Sequence, residues 1–78
     1  MVKRLVSLTF SEEMIQEPVI YRLGNEFDVV TNIFRATVTE SEGWVLLEIQ
    51  GKADEVRRAI DFLKSLGVAV EEKQEDRA

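Results

Sequence analysis

The chain has 78 residues, ten of them basic and fifteen acidic, with a formal net charge of −5 and neither cysteine nor histidine. This length leaves room for one domain with a small core, and the missing residue types exclude disulfides, thiolate zinc sites and Cys or His nucleophiles. The acidic balance and the scattered basic residues argue against nucleic-acid binding, which concentrates Lys and Arg on one face.

The N-terminal half predicts a strand, a loop and a helix. Alternation of apolar and polar residues predicts a strand over residues 3–10, followed by a polar loop from Ser11 to Glu17. Pro18 suits the first turn of a helix, and apolar residues at helical spacing continue it to about residue 28. Gly24 inside this helix indicates either close packing of the helix on the sheet or access of a ligand to the backbone.

The C-terminal half predicts a hairpin, a second helix and a last strand. The hairpin strands cover Val30 to Glu40 and Trp44 to Gln50, the helix follows Gly51 and ends at Gly67, and the last strand is 68–71. The resulting order is that of a ferredoxin-like α+β fold, βαββαβ, with a four-stranded antiparallel sheet and two helices on one face. We expect a single domain over residues 1–72 and a solvated tail over residues 73–78.

Strict alternation assigns the strand residues to two faces of the sheet. The face toward the helices is predicted to hold Val6, Leu8, Phe10, Phe34, Ala36, Val38, Val45, Leu47, Ile49, Val68 and Val70. The open face is predicted to hold Leu5, Ser7, Thr9, Ile33, Arg35, Thr37, Trp44, Leu46 and Glu48. Because Ile33, Trp44 and Leu46 are large apolar residues without a covering helix, we expect them to form the interface of a homodimer. The alternative is that loops or the tail shield them.

No residue pattern indicates catalysis. The paired carboxylates occur in predicted loops and in the tail, where a solvated pair has no reason to titrate unusually, and no phosphate-binding glycine loop occurs. We expect a protein that is not an enzyme and that uses no metal or cofactor. No apolar run approaches the roughly 20 residues that span a bilayer, so we also expect a cytoplasmic protein without membrane insertion.

Several segments together resemble the NIL domain family. They are Pro18-Val19-Ile20, Phe27 to Phe34, Gly51 to Val56, Ala59 to Leu63, and Gly67 to Glu71. The family is named for an Asn-Ile-Leu tripeptide in the second strand, which here reads Asn32-Ile33-Phe34. The order and spacing of these segments, over about Leu5 to Glu72, carry the resemblance.

The resemblance implies a non-catalytic regulatory domain that binds methionine or a related sulfur amino acid. The family is best known at the C-terminus of the ATPase subunit of methionine ABC importers, and other members stand alone or beside ferredoxin-type modules. The chain opens with Met1 and lacks an ATPase motif, which is expected of a free-standing member or of an excised domain. A transporter or a sulfur-metabolism protein is the implied partner, and Asn32, Ile33 and Phe34 are the implied ligand-binding residues.

Two interpretations of Asn32 remain open at the level of sequence. Its amide could cap the backbone where the first helix meets the second strand, or it could bind the charged groups of a zwitterion. Trp44, if it lies nearby, could contact the thioether of the ligand. The alternative to a ligand sensor is a protein-interaction module without a ligand site.

Overall fold

Four antiparallel strands form one sheet in the computed structural model, which describes residues 1–15 and 18–73. The strands are β1 (Val2–Ser11), β2 (Val29–Val38), β3 (Glu42–Gly51) and β4 (Ala69–Lys73). Their spatial order is β2-β3-β1-β4, so that β1 and β3 are central while β2 and β4 form the edges. The predicted ferredoxin-like α+β fold is confirmed.

Three helices occur among the described residues, one more than predicted. They are α1 (Glu12–Ile15), α2 (Val19–Glu26) and α3 (Ala53–Ser65). The prediction of a loop was wrong over α1, where Glu12 and Glu13 occupy a first turn that favours acidic residues and Met14 packs against the core. Residues 16 and 17 of that predicted loop lie outside the described residues.

The core lies between the sheet and the two longer helices. Its sheet side comes mainly from alternate residues of the two central strands, because residues two apart share a face. Its helix side comes from the apolar stripes of α2 and α3. The buried members are Val6, Leu8, Phe10, Val19, Leu23, Val29, Val45, Leu47, Ile49, Val56, Ala59, Ile60, Leu63 and Val68.

A β-bulge interrupts the alternation of β2. Ile33 pairs with Leu47, but the next paired residue, Arg35, faces Leu46, so Phe34 has no partner on β3. One extra residue reverses the faces of all residues before it relative to strict alternation. The bulge therefore places Asn32, Arg35 and Thr37 on the open face together.

The bulge corrects two face assignments made from the sequence. Ile33 was predicted on the open face, but its partner Leu47 is fully buried, so Ile33 shares the side of the sheet that carries the helices. Phe34 was predicted to face the core, but it is 51% exposed, and Ile33 is 53% exposed. Both side chains are exposed because neither helix extends over this part of the edge strand, of which only Val29 is buried.

The glycines at positions 67 and 24 differ in what the backbone requires of them. Gly67 ends α3 with a φ of +91°, the left-handed conformation that only glycine adopts without strain, as the sequence predicted. Gly24 is exposed, and a Cβ built there would meet nothing within 4 Å. Close packing of α2 on the sheet is therefore not the reason for Gly24, and access of a ligand to the backbone at Gly24 stays a prediction.

The C-terminal strand extends further than predicted. β4 continues to Lys73, and its last two residue pairs with β1 join Glu72 to Val6 and Lys73 to Leu5. Lys73 is thus part of the sheet, while residues 74–78 of the predicted tail lie outside the described residues. Within the described ranges, no helix has the length and apolarity needed to cross a membrane.

Candidate functional site

The open face of the sheet presents its residues in rows that run across the strands. One row contains Asn32, Glu48, Leu5 and Lys73, which are successive partners from β2 to β4. The next row contains Arg35, Leu46, Ser7 and Glu71, and the third contains Thr37, Trp44, Thr9 and Ala69. We call the part of this face formed by Asn32, Arg35, Trp44, Leu46 and Glu48 the β2–β3 patch.

Asn32 lies within β2, three residues after the strand begins, and is exposed. It is paired directly with Glu48, which in an antiparallel sheet places the two Cβ atoms about 5 Å apart. Its side chain takes part in none of the side-chain hydrogen bonds found among the described residues. The interpretation of Asn32 as a cap at the junction of helix and strand is therefore not supported.

Glu55 of α3 stabilises that junction instead. Its carboxylate accepts a hydrogen bond from the backbone N–H of Asp28 at 3.0 Å and pairs with the Arg58 guanidinium at 2.6 Å. The Asp28 N–H, together with Arg58, holds the pKa of Glu55 below its ordinary value of 4.5. The start of β2 is thereby tied to α3.

An aromatic pair strengthens the same connection. The rings of Phe27 and Phe62 lie 5.3 Å apart at an angle of 57°, a tilted arrangement that their quadrupoles favour. The guanidinium of Arg22 lies 5.0 Å from the centroid of the Phe62 ring, and that of Arg58 lies 5.6 Å from the centroid of Phe27. These contacts join the end of α2 to α3. They therefore help to fix the position at which β2, the strand that carries Asn32, begins.

The side chain of Trp44 on the open face reaches the neighbouring strand β1. Its indole Nε1 donates a hydrogen bond of 2.6 Å to the hydroxyl of Ser7 on β1, and Ser7 is the buried polar residue of that strand. The bond satisfies the indole N–H, which costs free energy when it is buried without a partner. Trp44 as a whole is half-buried.

The structure brings some of the predicted site residues together and separates others. Trp44 and Leu46 share the open face with Asn32, whereas Ile33 lies on the helix side. Trp44 is not adjacent to Asn32, because it lies four positions, or about 14 Å, along β3 from Glu48. Leu46 and Arg35 fill the row between them. The sequence did not reveal this neighbourhood, since it depends on the register and on the bulge.

A second, apolar site lies on the opposite side of the sheet. It is a cavity of about 230 Å³ between α2, the end of β1 and the end of β2. Its lining consists of Phe10, Met14, Pro18, Val19, Ile20, Tyr21, Val38, Gly43 and Val45. Asn32 does not contribute to it, and it carries no charged side chain.

Metal-ligand geometry is not present in the described residues, where no group of three or more acidic side chains is close enough to hold an ion. The lowered pKa of Glu55 has a structural cause, since its contacts tie α3 to the start of β2. The β2–β3 patch has one amide, one carboxylate, one guanidinium and apolar area.

The fold and the open face together define the class of protein, a ferredoxin-like α+β domain with one sheet face that the described helices leave open. The family described as NIL domain matches residues 4–72. The chain belongs to the NIL domain family, and the resemblance drawn from Asn32-Ile33-Phe34 and the flanking segments is confirmed.

The curated relatives are much longer proteins. The chain is 31% identical over 72 residues to the methionine import ATP-binding protein MetN 2 of Bacillus licheniformis and 35% identical over 72 residues to MetN 2 of Acinetobacter baylyi. Each match covers 87% of this chain and 21% of the relative, so the chain spans about a fifth of their length.

A solved structure has the same fold. It is the C-terminal domain of an ABC transporter ATP-binding protein from Enterococcus faecalis, which superposes with a TM-score of 0.79 at 22% identity. The superposition covers 94% of this chain and 86% of that one. The arrangement of helices and strands is thus that of a known domain.

Proposed function

We propose that this chain is a non-catalytic, cytoplasmic regulatory domain that binds methionine or a related sulfur amino acid. The observation that carries the proposal is the position of Asn32. It comes from the tripeptide that names the family, it is exposed on the uncovered sheet face, and no hydrogen bond among the described residues explains it structurally. A side-chain amide can donate to a carboxylate and accept from an ammonium group, as recognition of an amino acid requires.

The relatives give the proposed ligand and context. The curated proteins that match are described as methionine import ATP-binding proteins, and the superposed domain is the C-terminal domain of an ABC transporter ATP-binding protein. We propose by analogy a link to amino-acid transport or to sulfur metabolism, with a transporter or a sulfur-metabolism protein as partner. The alternative function is a protein-interaction module without a ligand site.

Titration calorimetry of the isolated chain distinguishes the two functions. We expect saturable binding of methionine and weaker or no binding of alanine and glutamate, which lack the long apolar side chain. The tryptophan is unique in the chain and lies on the open face, so its fluorescence provides an independent signal. If no amino acid binds up to millimolar concentration, the sensor function fails and the interaction module replaces it.

We also propose a homodimer that uses the open face and the β2 edge. Trp44 and Leu46 are half-buried on that face, whereas Ile33 and Phe34 are exposed at the edge strand. β2 has ten residues with one charged side chain, Arg35, and an edge of this kind lacks the charges that usually prevent association. A second copy on this face would also cover a ligand bound to the β2–β3 patch.

Light scattering tests the dimer and its location. We expect a mass that rises with concentration toward twice the 8.9 kDa of one chain. Leu46→Gln should weaken association if the open face is used, and Ile33→Gln should weaken it if the edge is used. Tyr21→Gln, on the exposed side of α2, is the control. A parent protein that stays monomeric at all micromolar concentrations would contradict the proposal.

A further inference from the structure

The β-bulge places Arg35 on the same face of the sheet as Asn32 and Glu48. Glu48 is the direct partner of Asn32 across the strands, and Arg35 is the next residue of β2 on the same face. Without the bulge, Phe34 would follow Asn32 on this face and Arg35 would lie on the other. The irregularity of the strand therefore creates a group of an amide, a carboxylate and a guanidinium.

The two charged residues have no structural partner in the described part of the chain. The four ion pairs found there join Arg4 to Glu72, Arg22 to Glu26, Arg58 to Glu55, and Lys73 to Glu71. Neither Arg35 nor Glu48 takes part in any of them, and Arg35 is exposed while Glu48 is half-buried. The two opposite charges therefore occupy adjacent rows, about 7 Å apart along β3, without an ion pair to another described residue.

We infer that Glu48 and Arg35 are the charge-recognition residues for a free α-amino acid, with Glu48 binding its ammonium group and Arg35 its carboxylate. This inference rests on the proposed function and assigns the residues that determine its ligand class. A guanidinium binds a carboxylate through two parallel hydrogen bonds, and a carboxylate accepts from an ammonium group. Leu46, in the row of Arg35, and Trp44 in the row beyond provide the apolar surface for the ligand side chain.

The charges make the recognition selective for the zwitterion. A ligand that lacks the ammonium group leaves Glu48 without its partner, and one that lacks the carboxylate leaves Arg35 without its own. Residues inside a peptide carry neither charge and are excluded for the same reason. The preferred ligand is therefore a free amino acid, and a peptide, a simple amine or a simple acid should bind more weakly.

Calorimetry with matched ligands and variants tests the assignment on the full chain. The ligands are methionine, 4-(methylthio)butanoate, which lacks the ammonium group, and 3-(methylthio)propylamine, which lacks the carboxylate. Glu48→Gln and Arg35→Gln are each expected to weaken methionine binding about 10- to 100-fold, the usual effect of losing a charged hydrogen bond. Glu71→Gln and Lys3→Gln remove charges elsewhere on the open face and should stay within twofold of the parent.

The matched ligands separate the roles of the two residues. Glu48→Gln should leave butanoate binding within twofold of the parent, and Arg35→Gln should leave propylamine binding within twofold, because each ligand already lacks the group concerned. The assignment would be overturned if either variant bound all three ligands equally more weakly than the parent. It would also be overturned if either variant bound methionine as tightly as the parent. In the latter case the proposed function still stands. A parent that binds no amino acid removes the proposed function and this inference together.

Discussion

Replacing Leu47 by alanine is expected to lower the free energy of unfolding by about 2–5 kcal/mol. Leu47 lies in the middle of the central strand β3 and is fully buried beneath the helices. Removing its side chain loses the free energy gained by burying that side chain, and it leaves a cavity that a small core cannot close. A domain of this size has a total stability of only about 4–12 kcal/mol, so the variant should lose a large part of its stability.

Leu46→Ala is the matched control for this experiment. Leu46 precedes Leu47 in the chain but points to the open face, where it is half-buried. Its loss should cost about 1 kcal/mol or less in urea titrations at concentrations where the chain is monomeric. Equal losses of stability in the two variants would show that Leu46 is covered as well as Leu47 is. That result would contradict the assignment of the two residues to an open and a buried face of β3.

Asn32→Ala should abolish most of the stabilisation that methionine gives. Methionine at about 100 times its dissociation constant should raise the stability of the parent by about 2.7 kcal/mol. For a domain of this size the melting temperature then rises by about 10–20 °C. Without the amide, the variant would lack the ligand contact that we propose for Asn32, so its melting temperature should rise only slightly when methionine is added.

The ligand-free melt of the same variant separates this role from a structural one. Because Asn32 is exposed and makes no structural hydrogen bond among the described residues, the ligand-free melting temperature should hardly change. Asn25→Ala changes the other asparagine of the chain, on α2, and should retain the full response to methionine. A variant of Asn32 that is less stable without ligand, yet keeps the full methionine response, would return Asn32 to a structural role.

The sequence by itself determined the four strands, the two longer helices and their order, but not the short helix α1. Apolar residues repeat every two positions in the strands and at i, i+3 and i+4 in the helices, and this period is a local property of the chain. Gly67 at the end of α3 follows from the same local reasoning, because the positive φ there needs glycine. The faces of β1 and β3 were also predictable, since both strands are regular and one face of each is buried.

Only the tertiary structure decided which residues surround Asn32. A bulge adds one residue to β2 without changing its composition, and pairing with β3, not the local sequence, determines where the extra residue lies. Strict alternation put Ile33 beside Trp44 and Leu46 and placed Asn32 on the opposite face from Arg35. The register with β3 reverses both statements, because a shift of one residue exchanges the two faces of a strand. The neighbours of Asn32, including Glu48 across the strand pair, therefore became known only from the paired strands.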